Sequence, residues 1–140
     1  VKPIRVIVTG SRTWFDRSTV DASLDLIAEA AKAEGRPLLV AHGCASGADQ
    51  LADEWVLARR RVGWPVEVQR FPADWKRHGK RAGMVRNREM VKLGADACLA
   101  FILDGSRGAT HCANLAEADD IPVQRIERYS DSPPETELYR

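Results

Sequence analysis

The stretch Ile4-Arg5-Val6-Ile7-Val8-Thr9-Gly10-Ser11-Arg12 decides how the rest of the chain is read. Its β-branched run, bounded by Pro3 and Gly10, has the pattern of a strand buried on both faces, as strands of parallel sheets are. A glycine-bearing loop follows and then a helix, and the same punctuation returns twice. Leu38 to His42 runs into Gly43-Cys44-Ala45-Ser46-Gly47-Ala48-Asp49, and Ala97 to Leu103 runs into Asp104-Gly105-Ser106-Arg107-Gly108-Ala109-Thr110. In an open parallel sheet the loops at the carboxyl ends of the strands share one edge, and ligands bind there where the strand order reverses. The three loops therefore predict one composite site. Glycine allows close backbone approach, and each following helix directs partial positive charge at the same place, so the expected ligand is an anion, a phosphate above all.

Working outward, Ser18-Thr19-Val20-Asp21 resembles a capping box, and Val20, Leu24, Ile27, Ala28 and Ala31 recur at helical spacing until Gly35 and Pro37. Ala48, Leu51, Ala52, Trp55 and Val56 form the stripe of a second helix, with Trp55 expected in the core. Val66 to Phe71 alternates, which predicts a third strand nearer an edge. Lys76 to Gly83 reads as a long loop and Met84 to Leu93 as a helix stopped by Gly94. Strand four is Ala97 to Ile102, followed by a helix with the stripe Ala109, Cys112, Ala113 and Ala116, and strand five is Pro122 to Ile126. The fold expected is α/β: a Rossmann-like three-layer αβα sandwich on a parallel sheet of about five strands, with strands one and four adjacent at its centre. One domain over residues 1–127 is expected, with 128–140 as a flexible tail.

Bulk numbers narrow the class. At 140 residues, 44% hydrophobic and 29% charged, the chain suits one soluble domain with a real core. A formal net charge of +1 gives no global attraction to nucleic acid or membrane. No apolar run approaches the ~18 residues of a membrane span, and the charged start lacks a secretory h-region. A cytoplasmic protein is expected. Cys44, Cys98 and Cys112 are odd in number and lack paired metal spacing, which suits reduced thiols.

Local charge is another matter. Lys76, Arg77, Lys80, Arg81, Arg86 and Arg88 lie close together with no acid among them, forming either a solvated cationic loop or a lip over the glycine loops. Arg86 and Asn87 are the better ligand candidates because they start a predicted helix. Asp49 is either a first-turn acid favoured by the helix dipole or an acceptor for a ribose hydroxyl or a loop amide. Trp75 either stacks on a base or covers the sheet edge. His42, Cys44, His111 and Cys112 fit no recurrent zinc spacing, so no metal is expected. The chain lacks Gly-x-x-x-x-Gly-Lys-Ser/Thr, and its first strand does not run into Gly-x-Gly-x-x-Gly, which argues against triphosphate hydrolysis and ordinary nicotinamide chemistry. A phosphate is instead expected on Gly105, Ser106, Arg107, Gly108 and Thr110.

Gly10-Ser11-Arg12, His42-Gly43 with Gly47-Ala48-Asp49 and Trp55, Pro72-Ala73-Asp74-Trp75, His78-Gly79, Gly83, Arg86-Asn87, and Ser106-Arg107-Gly108 with Thr110-His111 occur in that order. Together they resemble the YspA-like, cpYpsA-related branch of the SLOG superfamily over residues 4 to about 126. The resemblance implies a Rossmann-like domain binding nucleotides or nucleotide-derived ligands, and LOG-type relatives imply a homodimer, with the small-residue helix around Ala109 to Ala118 expected to pack closely against a copy of itself or a neighbour. LOG phosphoribohydrolases carry an Arg-Lys pair and a Pro-Gly-Gly-x-Gly-Thr loop followed by a catalytic glutamate. Here Arg86-Asn87 matches only the first member of the pair, Asp104 replaces the proline, and His111 and Cys112 occupy the region of the glutamate. The nearest downstream acid is Glu117. The expected function is therefore binding or sensing of a nucleotide-like small molecule. The alternatives are a hydrolase acting at an N-glycosidic bond and, as in the Smf relatives, a single-stranded nucleic-acid binder, which the near-neutral charge disfavours.

Overall fold

Five strands pair in the order β3-β2-β1-β4-β5, all parallel: β1 (Ile4–Gly10), β2 (Leu38–His42), β3 (Val66–Arg70), β4 (Ala97–Leu103) and β5 (Val123–Arg128). This computed structural model describes residues 1–130. The helices between the strands are α1 (Arg17–Ala33), α2 (Ala48–Arg61), the single turn α3 (Trp75–His78), α4 (Ala82–Lys92) and α5 (Arg107–Ala118). The sandwich follows from alternation along the strands. Val6, Val8, Val40, Leu99 and Phe101 point to one face and pack with Leu24 of α1 and Trp55 of α2. Ile7, Ala41 and Cys98 point to the other, against Met90 and Val91 of α4 and Cys112 and Ala116 of α5. Each fully buried Val, Leu, Ile, Phe or Met among them contributes roughly 1.5–3 kcal/mol.

Strands β1 and β4 are neighbours, in register from Val6↔Ala97 to Gly10↔Phe101, so the reversal of strand order falls between them as the glycine pattern predicts. Beyond Gly10 a side chain continues the pairing. Leu103 N–H donates to Ser11 Oγ at 2.7 Å, and Ser11 N–H donates to the Phe101 carbonyl at 2.9 Å.

Three boundaries differ from the sequence reading. Helix α1 starts before Ser18, because Asp16 is the cap: its Oδ1 accepts from Thr19 N–H at 3.3 Å and from Ser18 Oγ at 2.7 Å. The expected long loop at 76–83 is helical. Asp74 caps α3 by accepting from Arg77 N–H at 3.1 Å, Gly79 turns the chain at φ 55°, a 3-10 turn spans Gly79–Arg81, and α4 begins at the buried Ala82. Basic composition and two glycines imitate a loop there. Strand β5 runs to Arg128, and Asp104 accepts from both Ser130 N–H and Ser130 Oγ. The expected flexible tail otherwise lies outside the described residues.

Candidate functional site

A cleft of about 640 Å³ opens at the carboxyl edge of the sheet, over the ends of β1 and β4. Its floor is Thr9, Asp49, Asn87 and Met90, all buried. Four cationic side chains, Arg12, Lys80, Arg86 and Arg107, line it against the single carboxylate of Asp49. The first turn of α5 supplies Ser106, Arg107, Gly108 and Ala109, and the Ser106 side chain does not cap the helix, which leaves the first N–H groups of α5 for another partner.

Arg86 is held in place. Its Nε donates to Asn87 Oδ1 at 2.9 Å and its Nη1 to the Gly43 carbonyl. Because arginine only donates, Asn87 must turn its amide nitrogen the other way, toward His111 Nδ1 at 3.2 Å. The His111 ring proton then sits on Nε2, and burial, with the Arg88 charge, lowers its pKa and favours the neutral ring. Gly43 is gripped at both ends, since its N–H donates to Asp49 Oδ2 at 3.0 Å while its carbonyl meets Arg86. Ala45 N–H reaches the same Oδ2 at 3.2 Å. Asp49 does orient loop amides. Burial raises its carboxyl to about 6 despite the opposing pull of His42, Ala45 N–H and Arg86.

Arg12 lies 5.7 Å over the Trp75 ring, and Trp75 is half exposed at the rim, where a second depression of about 310 Å³ continues the cleft past Gly43 and Arg86. Trp75 therefore stands on the cleft side, half exposed beside the Arg12 guanidinium.

Several expected residues have other work. Ser11 lies on the cleft wall, but its hydroxyl is committed to the Leu103 backbone. His42 lies outside the cleft: its Nδ1 accepts from Cys44 N–H at 3.0 Å and its Nε2 donates to Asp53 at 2.6 Å, which Arg70 also holds at 2.7 Å. These bonds anchor the β2–α2 loop and occupy both ring nitrogens. Gly47, Gly105 and Thr110 also fall outside the cleft wall. Gly47 has φ 75° beneath the Ser11 and Arg12 carbonyls, and Gly105 has φ 63° in the turn after β4. Thr110 N–H makes the first return bond of α5, to the Ser106 carbonyl at 3.1 Å. Gly10 lines the cleft, yet a Cβ there would collide with Ala48, so it is needed for strand–helix packing as well. Glu117 is exposed and paired with Arg125, away from the cleft. The small face of α5 is buried within the chain against the sheet, so it is not a free packing face for a dimer. Thr9, Lys80 and Met90 were missed: Lys80 stood in the basic run as one of many, Thr9 ended a strand read as buried on both faces, and Met90 lay in a predicted helix with nothing to mark it.

No helix among the described residues is long and apolar enough to cross a membrane. Residues 4–78 match the YspA, cpYpsA-related SLOG family. The chain is also 47% identical over 119 residues to the Gene 61 protein of Mycobacterium phage D29, a match covering 85% of this chain and 93% of that protein. The chain belongs to the YspA, cpYpsA-related SLOG family. The family match ends before Arg86 and the α5 turn, so those parts of the cleft rest on the geometry above.

Proposed function

We propose that this protein binds or senses a nucleotide-derived small molecule through its phosphate, in the cleft over β1 and β4. One observation carries the reading: four cationic side chains and the uncapped start of α5 converge on a concave site that holds a single carboxylate. Guanidinium forks and helix N-terminal N–H groups both match phosphate oxygens. Family membership supports a nucleotide-related ligand, and the half-exposed Trp75 at the rim is an aromatic side chain on which a base could stack. A LOG-type hydrolase reading lacks its acid, since Glu117 points elsewhere.

Calorimetric titration with nucleoside monophosphates tests it. Arg86→Ala should weaken binding by about 1.5–3 kcal/mol, as expected for one lost charged hydrogen bond. Gly43→Ala should do nearly the same, because its new Cβ would take the space of the Arg86 guanidinium. Wild-type affinity in both variants would place the ligand elsewhere. Release of free base from any monophosphate would turn the reading to an enzyme. The homodimer expected from LOG-type relatives would have to use a face other than the buried side of α5; light scattering at high concentration reads it.

A further inference from the structure

We propose that Pro72 to Arg81 form a lid at the cleft mouth, and that a bound anion fastens this lid through Arg12 and the Trp75 ring. The inference rests on the phosphate-binding reading above and adds a conformational response to it. The last tie of β3 to the sheet is Phe71 N–H, which donates to the His42 carbonyl at 2.9 Å. Beyond it, no residue from Pro72 to Arg81 is fully buried. The hydrogen bonds of the segment close on itself. Asp74 accepts from Arg77 N–H at 3.1 Å with its side chain and from His78 N–H at 3.0 Å with its carbonyl, and Gly79 N–H returns to the Trp75 carbonyl. Among the described residues, its only hydrogen bonds outward are the helical ones that join it to α4. A segment with little buried surface and only local bonds lies at the low end of the local stability scale, where lids are found.

Charge sets when it closes. Arg17, Arg59 and Arg70 each hold a carboxylate, whereas Lys76, Arg77, Lys80 and Arg81 are exposed and, among the described residues, form no ion pair. The lid reaches the cleft wall through Trp75 and Lys80, and the same wall carries Arg12, Arg86 and Arg107. Like charges push the lid off an anion-free cleft, and an anion between them removes the push. Arg12 supplies the fastening, 5.7 Å over the Trp75 ring. A guanidinium stacked on a ring keeps its N–H donors at the edge, in its own plane. An anion in the cleft therefore takes the edge of Arg12 while Trp75 keeps the face, and fixing Arg12 fixes the ring and the lid that carries it.

The test is amide hydrogen exchange at Arg77, His78 and Gly79, followed by NMR while inorganic phosphate replaces chloride at constant ionic strength. At saturation, protection of these amides should rise about fivefold in wild type, the size of one exposed cation–π contact. Amides of α1 should not change. Trp75→Ala should still bind phosphate through Arg86 and the start of α5, but protection at the three amides should rise less than about twofold. Trp75→Phe keeps an aromatic face for Arg12 and should restore most of the rise. Trp75 is half exposed, so neither variant opens the core. Phosphate binding with unchanged exchange in wild type overturns the lid, needs no variant and leaves the phosphate reading standing. A rise as large in Trp75→Ala as in wild type overturns it too. Shift changes that show no phosphate binding at all remove both the lid and the reading beneath it.

Discussion

The two sides of the cleft use glycine for opposite purposes. On the β1 and β2 side the glycines are packed against protein: a Cβ on Gly10 would meet Ala48 and, at 2.9 Å, the Phe101 carbonyl, and one on Gly47 would run into the Ser11 and Arg12 carbonyls. On the β4–α5 side Gly105 and Gly108 would meet nothing within 4 Å. The first pair lets two loops lie on each other and on α2. Gly108, on the cleft wall, leaves space that belongs to no protein atom. A glycine-rich loop is thus not by itself evidence of a ligand: Gly105 serves the turn after β4 through its positive φ, and Gly108, which neither packing nor backbone conformation demands, is the one with room for a ligand.

Gly47→Ala should produce the largest loss. It combines a positive φ with backbone collisions that no side-chain rotation relieves, and roughly 2–4 kcal/mol of stability should disappear. Urea denaturation measures it, and an unchanged midpoint would mean that the β1 and β2 loops are less tightly interlocked than they look. Gly108→Val is the reciprocal experiment. Its stability should stay within about 1 kcal/mol of wild type, while nucleotide affinity should fall at least ~100-fold as the side chain fills the approach to the α5 N–H groups, about 2.7 kcal/mol. If stability fell and binding held, the two sides would have exchanged roles.

The comparison also explains how far the sequence could be read. Periodicity and β-branching gave the five strands and pointed to β1 and β4 as the central pair, because burial on both faces writes itself into Val6 to Val8 and Cys98 to Ile102. The charges were legible too, Arg12 and Arg107 because they follow the ends of β1 and β4, and Arg86 because it stands in the basic run at a predicted helix. Which glycines pack and which stay open was not, because that depends on residues distant in sequence: Gly47 on Ser11, Gly10 on Phe101, Gly43 on Arg86. Nor could sequence show that the Ser11 hydroxyl pairs with β4 or that His42 holds Asp53, as both compete for partners only after the sheet has formed. The helical stretch after β3 was hidden because its caps, Asp74 and Gly79, lie inside a run of basic residues.

Asp49 sharpens the comparison with pH. Its carboxyl is raised from 3.8 to about 6 chiefly by burial. A raised carboxylate contributes stability that is fully present below the unfolded-state pKa and is lost as pH rises through the folded-state value. Asp49→Asn has no such titration. Its stability relative to wild type should therefore improve by about 2–3 kcal/mol between pH 4 and pH 7.5, from the size of the shift. Denaturant titration at both pH values reads the difference directly, and taking the difference removes carboxylates such as Asp53 and Asp16, whose lowered pKa values act in the opposite sense. A flat difference would mean that Asp49 is solvated in the native state.

The smallest effect separates the inner from the outer part of the basic run. Lys80 lies on the cleft wall, whereas Lys76, on the single turn α3, is exposed and outside it. Neither holds a phosphate as a fork does, so each acts as a screened point charge. Lys80→Ala should weaken nucleotide binding by roughly 0.5–1 kcal/mol at low ionic strength, and Lys76→Ala by less than about 0.3 kcal/mol. In 0.5 M salt the difference between the two variants should close while more of the Arg86→Ala deficit persists, since a part-buried hydrogen-bonded charge is screened less than an exposed one. Equal losses in Lys76→Ala and Lys80→Ala at low salt would mean that the run acts as a diffuse field over the whole sheet edge and that the cleft wall confers no distinction on Lys80.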